Sequence, residues 1–405
     1  MPRSRAGRVT IAQLSEMLAA CAREGRSVAI KGGDTLRGMG RPPSASAVTL
    51  STLDFADIVE DAPADLTIAV QSGLRLRALS TRLAKHGTQV PFDAPCAADA
   101  TVGGTLAAGW LGPRRHLYGR PRDFVIGSIA VLADGTIAHA GGMVVKNVSG
   151  YDMSRLYVGS FGTLAVLVQV NLKTIAAPQH ARMFHLRIPE RTRERAVAQL
   201  ATLPVAPAAA FWVDGHHGSV DGEDGAEGRI SVLLEGSERV LQRATRDLRS
   251  AMGRAGLPET RVVDAGARES FERVVDAYVA SLGERSVTYR LAADPDDALA
   301  RADACKALAE RFELRNDTIV DAMNGDVLFR VSDLDAHLLG SKIELFDDAL
   351  HDLEPRAIVV AGNHPHRAQL NVWGEAPEGI ERMRELKRRF DPRNVLNPGR
   401  FVADI

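Results

Sequence analysis

Cysteine is nearly missing. The 405 residues hold three, Cys21, Cys96 and Cys305, far apart and with no C-x-x-C pair. That spacing fits a reducing compartment and argues against an iron–sulfur cluster held by this chain alone. An excess of either charge is missing too. Lys and Arg total 50 against 51 Asp and Glu, so the balance carries no polyanion footprint and nucleic acid is not an expected partner. No apolar run approaches the roughly 18 residues of a membrane span. The start, "MPRSRAGRVTIAQLSEMLAACAREG", carries arginines, but Ile11, Leu14, Met17, Leu18 and Cys21 recur at helical spacing. That is an amphipathic helix rather than the apolar core of a signal peptide. A soluble, cytoplasmic protein is expected.

What is present is glycine, and it clusters. The length suggests two domains. After the first helix, "SVAIKGG" reads as a strand running into a glycine-rich loop; "LTIAVQSG" reads as a strand and "LRLRALSTRLAKHG" as a helix. Then comes "ATVGGTLAAGWLGPRRHLYG", mostly glycine and small residues, read as loop, before "FVIGSIAVLADGTIAHA", a hairpin turning at Asp134-Gly135. Composition shifts near Ala177-Pro178. Beyond it the strands "MFHLRI", "AAAFWVDG" and "RISVLLEG" alternate with charged helices such as Glu238 to Gly253. The expected class is α+β: a domain over 1–177 with a small βαβ-like start and an antiparallel second part, an α+β domain over 178–370, and a C-terminal helix and tail over 371–405 that returns to the first. "DGHHGSVDGEDGAEG" reads as a polar hairpin tip.

The loop Gly32 to Gly40 follows a strand, where successive N–H groups can cradle a phosphate or simply close a tight turn. Two common nucleotide motifs fail on it. Gly33 and Gly38 have P-loop spacing, but Met39-Gly40 replaces the Lys-Ser/Thr. Gly38-Met39-Gly40 is a G-x-G, but Pro43 stands where the third Rossmann glycine belongs.

The loop gains weight from its company. "TVGGTLAAG" (101–109), "GSFGTLAVL" (159–167) and the tail Phe390-Asp391-Pro392 with Leu396-Asn397-Pro398-Gly399-Arg400 follow in order. Together these resemble the FAD-linked oxidases whose cofactor domain is of the vanillyl-alcohol oxidase, or PCMH, type. Within that family "GPRRHLYGRPRDFVIG" and "GGMVVKNVSGYDMSRLYVGSFGTLAVL" look most like E subunits of glycolate oxidase complexes. The likeness is strong over about 28–178 and the last twenty residues; 180–370, where the family carries its substrate cap, matches little beyond general pattern.

The resemblance implies FAD. Gly32, Gly33, Asp34 and Thr35, with Thr101, Gly103 and Gly104, would bind its pyrophosphate; Gly159, Ser160 and Gly162 would line the flavin or adenosine side. Relatives with covalent FAD often carry His in the pyrophosphate loop; this chain has none there, so the expectation is non-covalent FAD. Other departures are Gly109-Trp110-Leu111-Gly112 in place of an N-A-G-G segment, and Ala165 and Gln169 in the flavin-facing strand. The function implied is oxidation of a small 2-hydroxy acid, with electrons passed beside a homologous FAD subunit to an iron–sulfur subunit; the complex would allow peripheral association with the inner face of the membrane. The lost polar groups also suit a non-catalytic subunit of the same complex, and a self-sufficient oxidase of another alcohol is the third reading.

Catalytic residues are not legible. Arg290 is placed to fork a substrate carboxylate or to be an ordinary strand-end arginine. His364 and His366 in "AGNHPHRAQL", and His216-His217, are read as base or ligand on one side and structural or surface on the other; no metal is expected. The run Arg382, Arg384, Lys387, Arg388 and Arg389 reads as a solvated helix face or a docking surface for a partner. Tyr151 and Asp152 read as pins of a turn, and Lys146 faces either the flavin or the surface.

Overall fold

A computed structural model describes residues 8–144, 151–214, 228–257, 261–263, 266–279, 285–332, 339–362 and 364–405. Lys146, His216 and His217 lie outside them. The chain packs as two units. One comprises Met1–Gly112, Arg120–Ala177 and Ala376–Ile405; the other comprises Pro113–Gly119 and Pro178–Glu375.

The first unit opens with the helix Ile11–Glu24, started by a capping box in which Thr10 and Gln13 exchange bonds and ended by Gly25 in the left-handed region. Its apolar stripe, Leu14, Leu18 and Cys21, is buried against Val28, Leu50, Val166, Val168, Val395 and Leu396. Each leucine so buried contributes about 1.5–3 kcal/mol. The strand Val28–Lys31 pairs in parallel with Val48–Ser51. A separate five-stranded antiparallel sheet runs Ile58–Ala62, Thr67–Gln71, Val166–Lys173, Val125–Val131, Ile137–Gly141 in spatial order. Its last two strands are the hairpin expected at Asp134-Gly135.

One sequence expectation fails in this unit: "TVGGTLAAG" is not a loop. Thr101 accepts the Gly104 N–H as N-cap of the helix Val102–Ala108, and Gly109 closes it at φ 62°. The small residues that mimic a loop are there because the helix is packed tightly; Val102, Gly103, Thr105 and Leu106 are all buried. Tyr151 pins the turn through its backbone: its side chain is 94 % exposed, and its carbonyl accepts the Met153 N–H. Asp152 does cap the helix Met153–Tyr157, accepting from Arg155 N–H at 3.1 Å.

The second unit is an eight-stranded sheet, antiparallel throughout, in the order Arg261–Val263, His180–Arg187, Arg229–Gly236, Ala209–Asp214, Arg315–Asp321, Asp326–Ser332, Ser286–Ala292, Ile358–Gly362. Its interior strands are buried on both faces, which is why they read as unbroken apolar runs rather than alternating ones. Phe184, Trp212, Tyr289 and Phe329 lie in one core with the helices Arg193–Ala201, Glu238–Arg254, Ala298–Arg311 and Leu339–Leu353. Phe211 turns to the opposite face, against Phe271 and Tyr278. Pro113–Gly119 packs in this unit although its chain neighbours belong to the other. Arg114 reaches both Glu235 oxygens (2.9 and 3.2 Å), Tyr118 donates to the same carboxylate (2.8 Å), and His116 Nε2 meets the Pro207 carbonyl at 2.8 Å.

Candidate cofactor site

The first unit holds an open cleft of about 870 Å³, its mouth included. Nine of the ten cofactor residues expected from sequence line it: Gly32, Gly33, Asp34, Thr35, Thr101, Gly103, Gly104, Ser160 and Gly162. Gly159 does not. It sits where the turn meets the end of the helix Val102–Ala108; its N–H donates to Leu106 O (2.9 Å), and a Cβ on Gly109 would come within 2.8 Å of its Cα.

The two parts of the expected pyrophosphate grip differ. In the loop after Lys31, the amides of Gly33, Asp34, Thr35 and Leu36 have no protein acceptor among the described residues. Asp34 stands there at φ 64°, a conformation uncommon outside glycine. Successive unengaged N–H groups around a left-handed residue suit an anion. In the second segment the amides are engaged: Val102 N–H donates to Leu74 O (2.9 Å), Gly103 N–H to Ser72 O (2.7 Å) and Gly104 N–H to Thr101 Oγ1 (3.2 Å). Thr101, Gly103 and Gly104 thus line the cleft without offering these donors. The glycine at 33 also answers to the protein itself, since a Cβ there would collide with the Asp99 carbonyl oxygen.

Charge follows the same division. Lys31, Arg37 and Arg400 line the cleft with Asp34 as the one carboxylate. Lys31 pairs with Asp34 at 2.8 Å and Arg37 stands 3.7 Å from it. Burial lowers the Arg400 pKa, an effect that Asp34 opposes and Arg37 adds to. Deeper in, Ser72 Oγ and Thr105 Oγ1 are buried, line the cleft and have no hydrogen-bond partner among the described residues. An unsatisfied buried hydroxyl costs about 1–3 kcal/mol unless a ligand completes it.

The C-terminal tail builds the rest. Lys387, read from sequence as part of a solvated face, is buried: its ammonium donates to Asp391 Oδ2 (2.6 Å), Leu396 O (2.9 Å) and Thr163 O (3.0 Å). Burial lowers its pKa and Asp391 pulls it back up. Asp391 also accepts the amides of Val395 (2.9 Å) and Leu396 (2.7 Å). Asn397 then joins the strand to the turn, accepting from Ile30 N–H at 2.9 Å and donating to Phe161 O at 2.6 Å.

Comparison with known proteins names a cofactor for the chain. Residues 9–141 match the model described as "FAD binding domain", and residues 367–401 match "FAD linked oxidases, C-terminal domain". The chain is similar to the FAD-linked oxidases over both of these stretches. FAD is its cofactor, and the first match spans the unengaged loop as the second spans the tail around Asn397. The chain is 28% identical over 385 residues to glycolate oxidase subunit GlcE of Escherichia coli K12, covering 93% of each. It is 28% identical over 398 residues to a D-lactate dehydrogenase of Archaeoglobus fulgidus, covering 93% of this chain and 86% of that one. Among solved structures, p-cresol methylhydroxylase superposes with a TM-score of 0.70 at 17% identity, over 96% of this chain and 87% of that one. An alkyldihydroxyacetonephosphate synthase follows at 0.69 and 14%, over 96% and 75%. These establish the two-part PCMH-type fold of an FAD-linked oxidase.

The residues present fit FAD: unengaged amides and an excess of cations for a diphosphate, and orphaned hydroxyls for the polar edges of a bound ring. Sequence reasoning missed Lys31, Arg37, Ser72, Thr105, Asn397 and Arg400. For Asn397 and Arg400 the signal was present, in a tail motif quoted for family and not for site.

The proposed substrate groups lie in the second unit. Arg290 Nη2 donates to both oxygens of Asp326 (3.0 and 2.8 Å), and Arg115 holds the same carboxylate at 2.9 Å. Arg115 also stands 3.7 Å from Asp321, whose pKa burial pushes up to about 7; Arg115 works against that rise and Asp326 adds to it. His364 is buried, and His366 lies in the short turn Pro365–Ala368. Among the described residues no three His, Cys, Asp or Glu are grouped to hold a metal ion, and no helix is long and apolar enough to cross a membrane.

Proposed function

We propose that the chain is the FAD-carrying subunit of a 2-hydroxy-acid dehydrogenase, with glycolate as the first substrate to test. The cleft carries the reading: a loop with four unengaged amides, three cations and two orphaned hydroxyls is built to be completed by an anionic, polar-edged cofactor. The substrate class rests on the relatives named for glycolate and D-lactate, similar over nearly the whole chain.

Bound here, FAD supplies a two-electron acceptor for a hydride equivalent from the carbon bearing the hydroxyl. The amides of Gly33 to Leu36, with Lys31 and Arg37, hold its diphosphate. Ser72 and Thr105 hydroxyls fix its orientation, and Phe161, Ala107 and Ala108 exclude water along the wall. Gly32, Thr35, Thr101, Gly103, Gly104, Ser160 and Gly162 shape that wall. Non-covalent attachment is the reading of the loop itself, where Gly33-Asp34-Thr35 stand in place of an attachment histidine. The three cysteines are scattered, and the likeness to glycolate oxidase subunits supports a route in which electrons leave to an iron–sulfur partner beside a homologous FAD subunit.

Arg290 favours a second reading. Its Nη2 is already taken by both oxygens of Asp326, which suits a subunit that holds FAD within the complex and leaves turnover to its homologue. Anaerobic mixing of the FAD-loaded chain with glycolate separates the two. Bleaching of the flavin band by the chain alone supports the catalytic reading. Bleaching only with the partner subunits present supports the second, and a chain that takes up no FAD sinks both.

A further inference from the structure

Arg400 is the only charged side chain that the C-terminal tail brings to the cleft. The effort made to place it is large. Three acceptors hold the buried Lys387 ammonium, and one of them, Asp391, also clasps the amides of Val395 and Leu396. Asn397, at φ 43°, is tied at both ends of its side chain to Ile30 and Phe161, while its own N–H donates to Val28 O at 2.9 Å. Beyond it Gly399 turns at φ 71°, and Phe401 stacks on Phe161 with ring centroids 5.3 Å apart. Between these two anchors the Arg400 guanidinium reaches the loop that carries the unengaged amides, donating to Met39 O at 3.2 Å. It is a cation added to a wall where Lys31 and Arg37 already outnumber Asp34.

Without a ligand this arrangement is unfavourable. Burial penalises the Arg400 charge and Arg37 repels it, while Asp34 offsets part of that cost. A dianionic group at the loop reverses both effects. We propose that the tail is part of the cofactor site: Arg400, set in the cleft by the Lys387–Asp391–Asn397 latch, is the counter-charge of the FAD diphosphate, so that tail docking and cofactor loading stabilise one another. The inference rests on the assignment of FAD to this cleft. By linkage, whatever loosens the tail weakens the cofactor, and the bound cofactor tightens the tail by the same factor.

Titration of the apoprotein with FAD, ADP and riboflavin tests it by calorimetry. Arg400→Met weakens FAD and ADP about tenfold, the worth of one charge-assisted contact, and leaves riboflavin unchanged. Arg400→Lys keeps the charge and recovers most of the loss. Hydrogen exchange at the Val395 to Arg400 amides gives the reciprocal readout. ADP slows it in the wild type and not in Arg400→Met. Equal affinity of Arg400→Met for ADP, or equal weakening of riboflavin, overturns the proposal while leaving FAD in the cleft. A wild-type chain that binds neither FAD nor ADP removes the cofactor assignment and the proposal with it. Should Arg400→Met not fold, the wild-type exchange decides: protection unaltered by ADP overturns, slowed exchange supports.

Discussion

The strand network around Asp326 and His185 in the second unit and the cleft of the first use buried polar groups in opposite ways. In that network the groups close on one another. Arg290 and Arg115 share Asp326, His185 bridges Ser231 and Ser270 (2.8 and 2.9 Å), and Tyr289 donates to Asp347 at 2.9 Å. In the first, around the cleft, they are left open: four amides, Ser72 Oγ and Thr105 Oγ1 have no protein partner among the described residues. A closed network stabilises a fold, whereas an open one beside a cavity is a site for a ligand. The tail latch beside the cleft is closed as well, because its work is to hold the open part in shape.

That contrast can be broken most forcefully at Lys387. Lys387→Met leaves Asp391 charged and buried without its cation, and should cost about 3–5 kcal/mol in urea unfolding, with FAD uptake lost. A cost under about 1 kcal/mol would mean that the latch is ornamental.

Next comes pH in the second unit. The unfolded Asp321 carboxyl ionises at about 4, the folded one at about 7. Between those values the folded state binds more protons, so its stability falls as pH rises through the window and is fully present below it. Asp321→Asn should flatten this slope, worth on the order of 2–4 kcal/mol across the window, in urea midpoints taken from pH 4.5 to 8. An unchanged slope assigns the titration to another group.

Two glycines give a matched pair. A Cβ at Gly33 would strike the Asp99 carbonyl oxygen, and one at Gly325, at φ 78° in the Asp321–Asp326 turn, would strike that of Ala293. Each Ala variant should lose about 1–3 kcal/mol of stability. Only Gly33→Ala should also lose FAD affinity, measured by flavin fluorescence quenching. Loss in both would erase the distinction between the units.

The smallest effects discriminate most finely. Ser72→Ala removes an orphan, so the apoprotein keeps its stability while FAD binds several-fold more weakly. Ser270→Ala removes a bond to buried His185 and should cost about 1 kcal/mol with FAD affinity intact. Thermal melts with and without FAD read both at once.

Legibility followed the same line. The loop at Gly32–Thr35, the hairpin at Asp134-Gly135 and the capped first helix were readable because each is written in a few adjacent residues whose φ requirement or period is local. Thr101–Ala108 was misread because glycine and alanine signal loop in isolation; only packing against Ser72 and the Gly159 turn makes a helix of them. Lys387 was misread for a similar reason. A lysine between arginines has a solvated face by pattern, and its burial depends on acceptors at Thr163 and Leu396 that no helical period reveals.

Composition and motif order were enough for the family, the cofactor and the α+β class, since a diphosphate loop and its glycines impose short-range constraints. They also argued against a self-held cluster, since three scattered cysteines without a C-x-x-C pair offer no usual ligand set. The assembly of the cleft was decided by long-range contact: Asn397 bonding Ile30 across 367 positions and Lys387 bonding Thr163 across 224. Hydrogen-bond partners and burial are properties of neighbours in space, and the chain order does not state them.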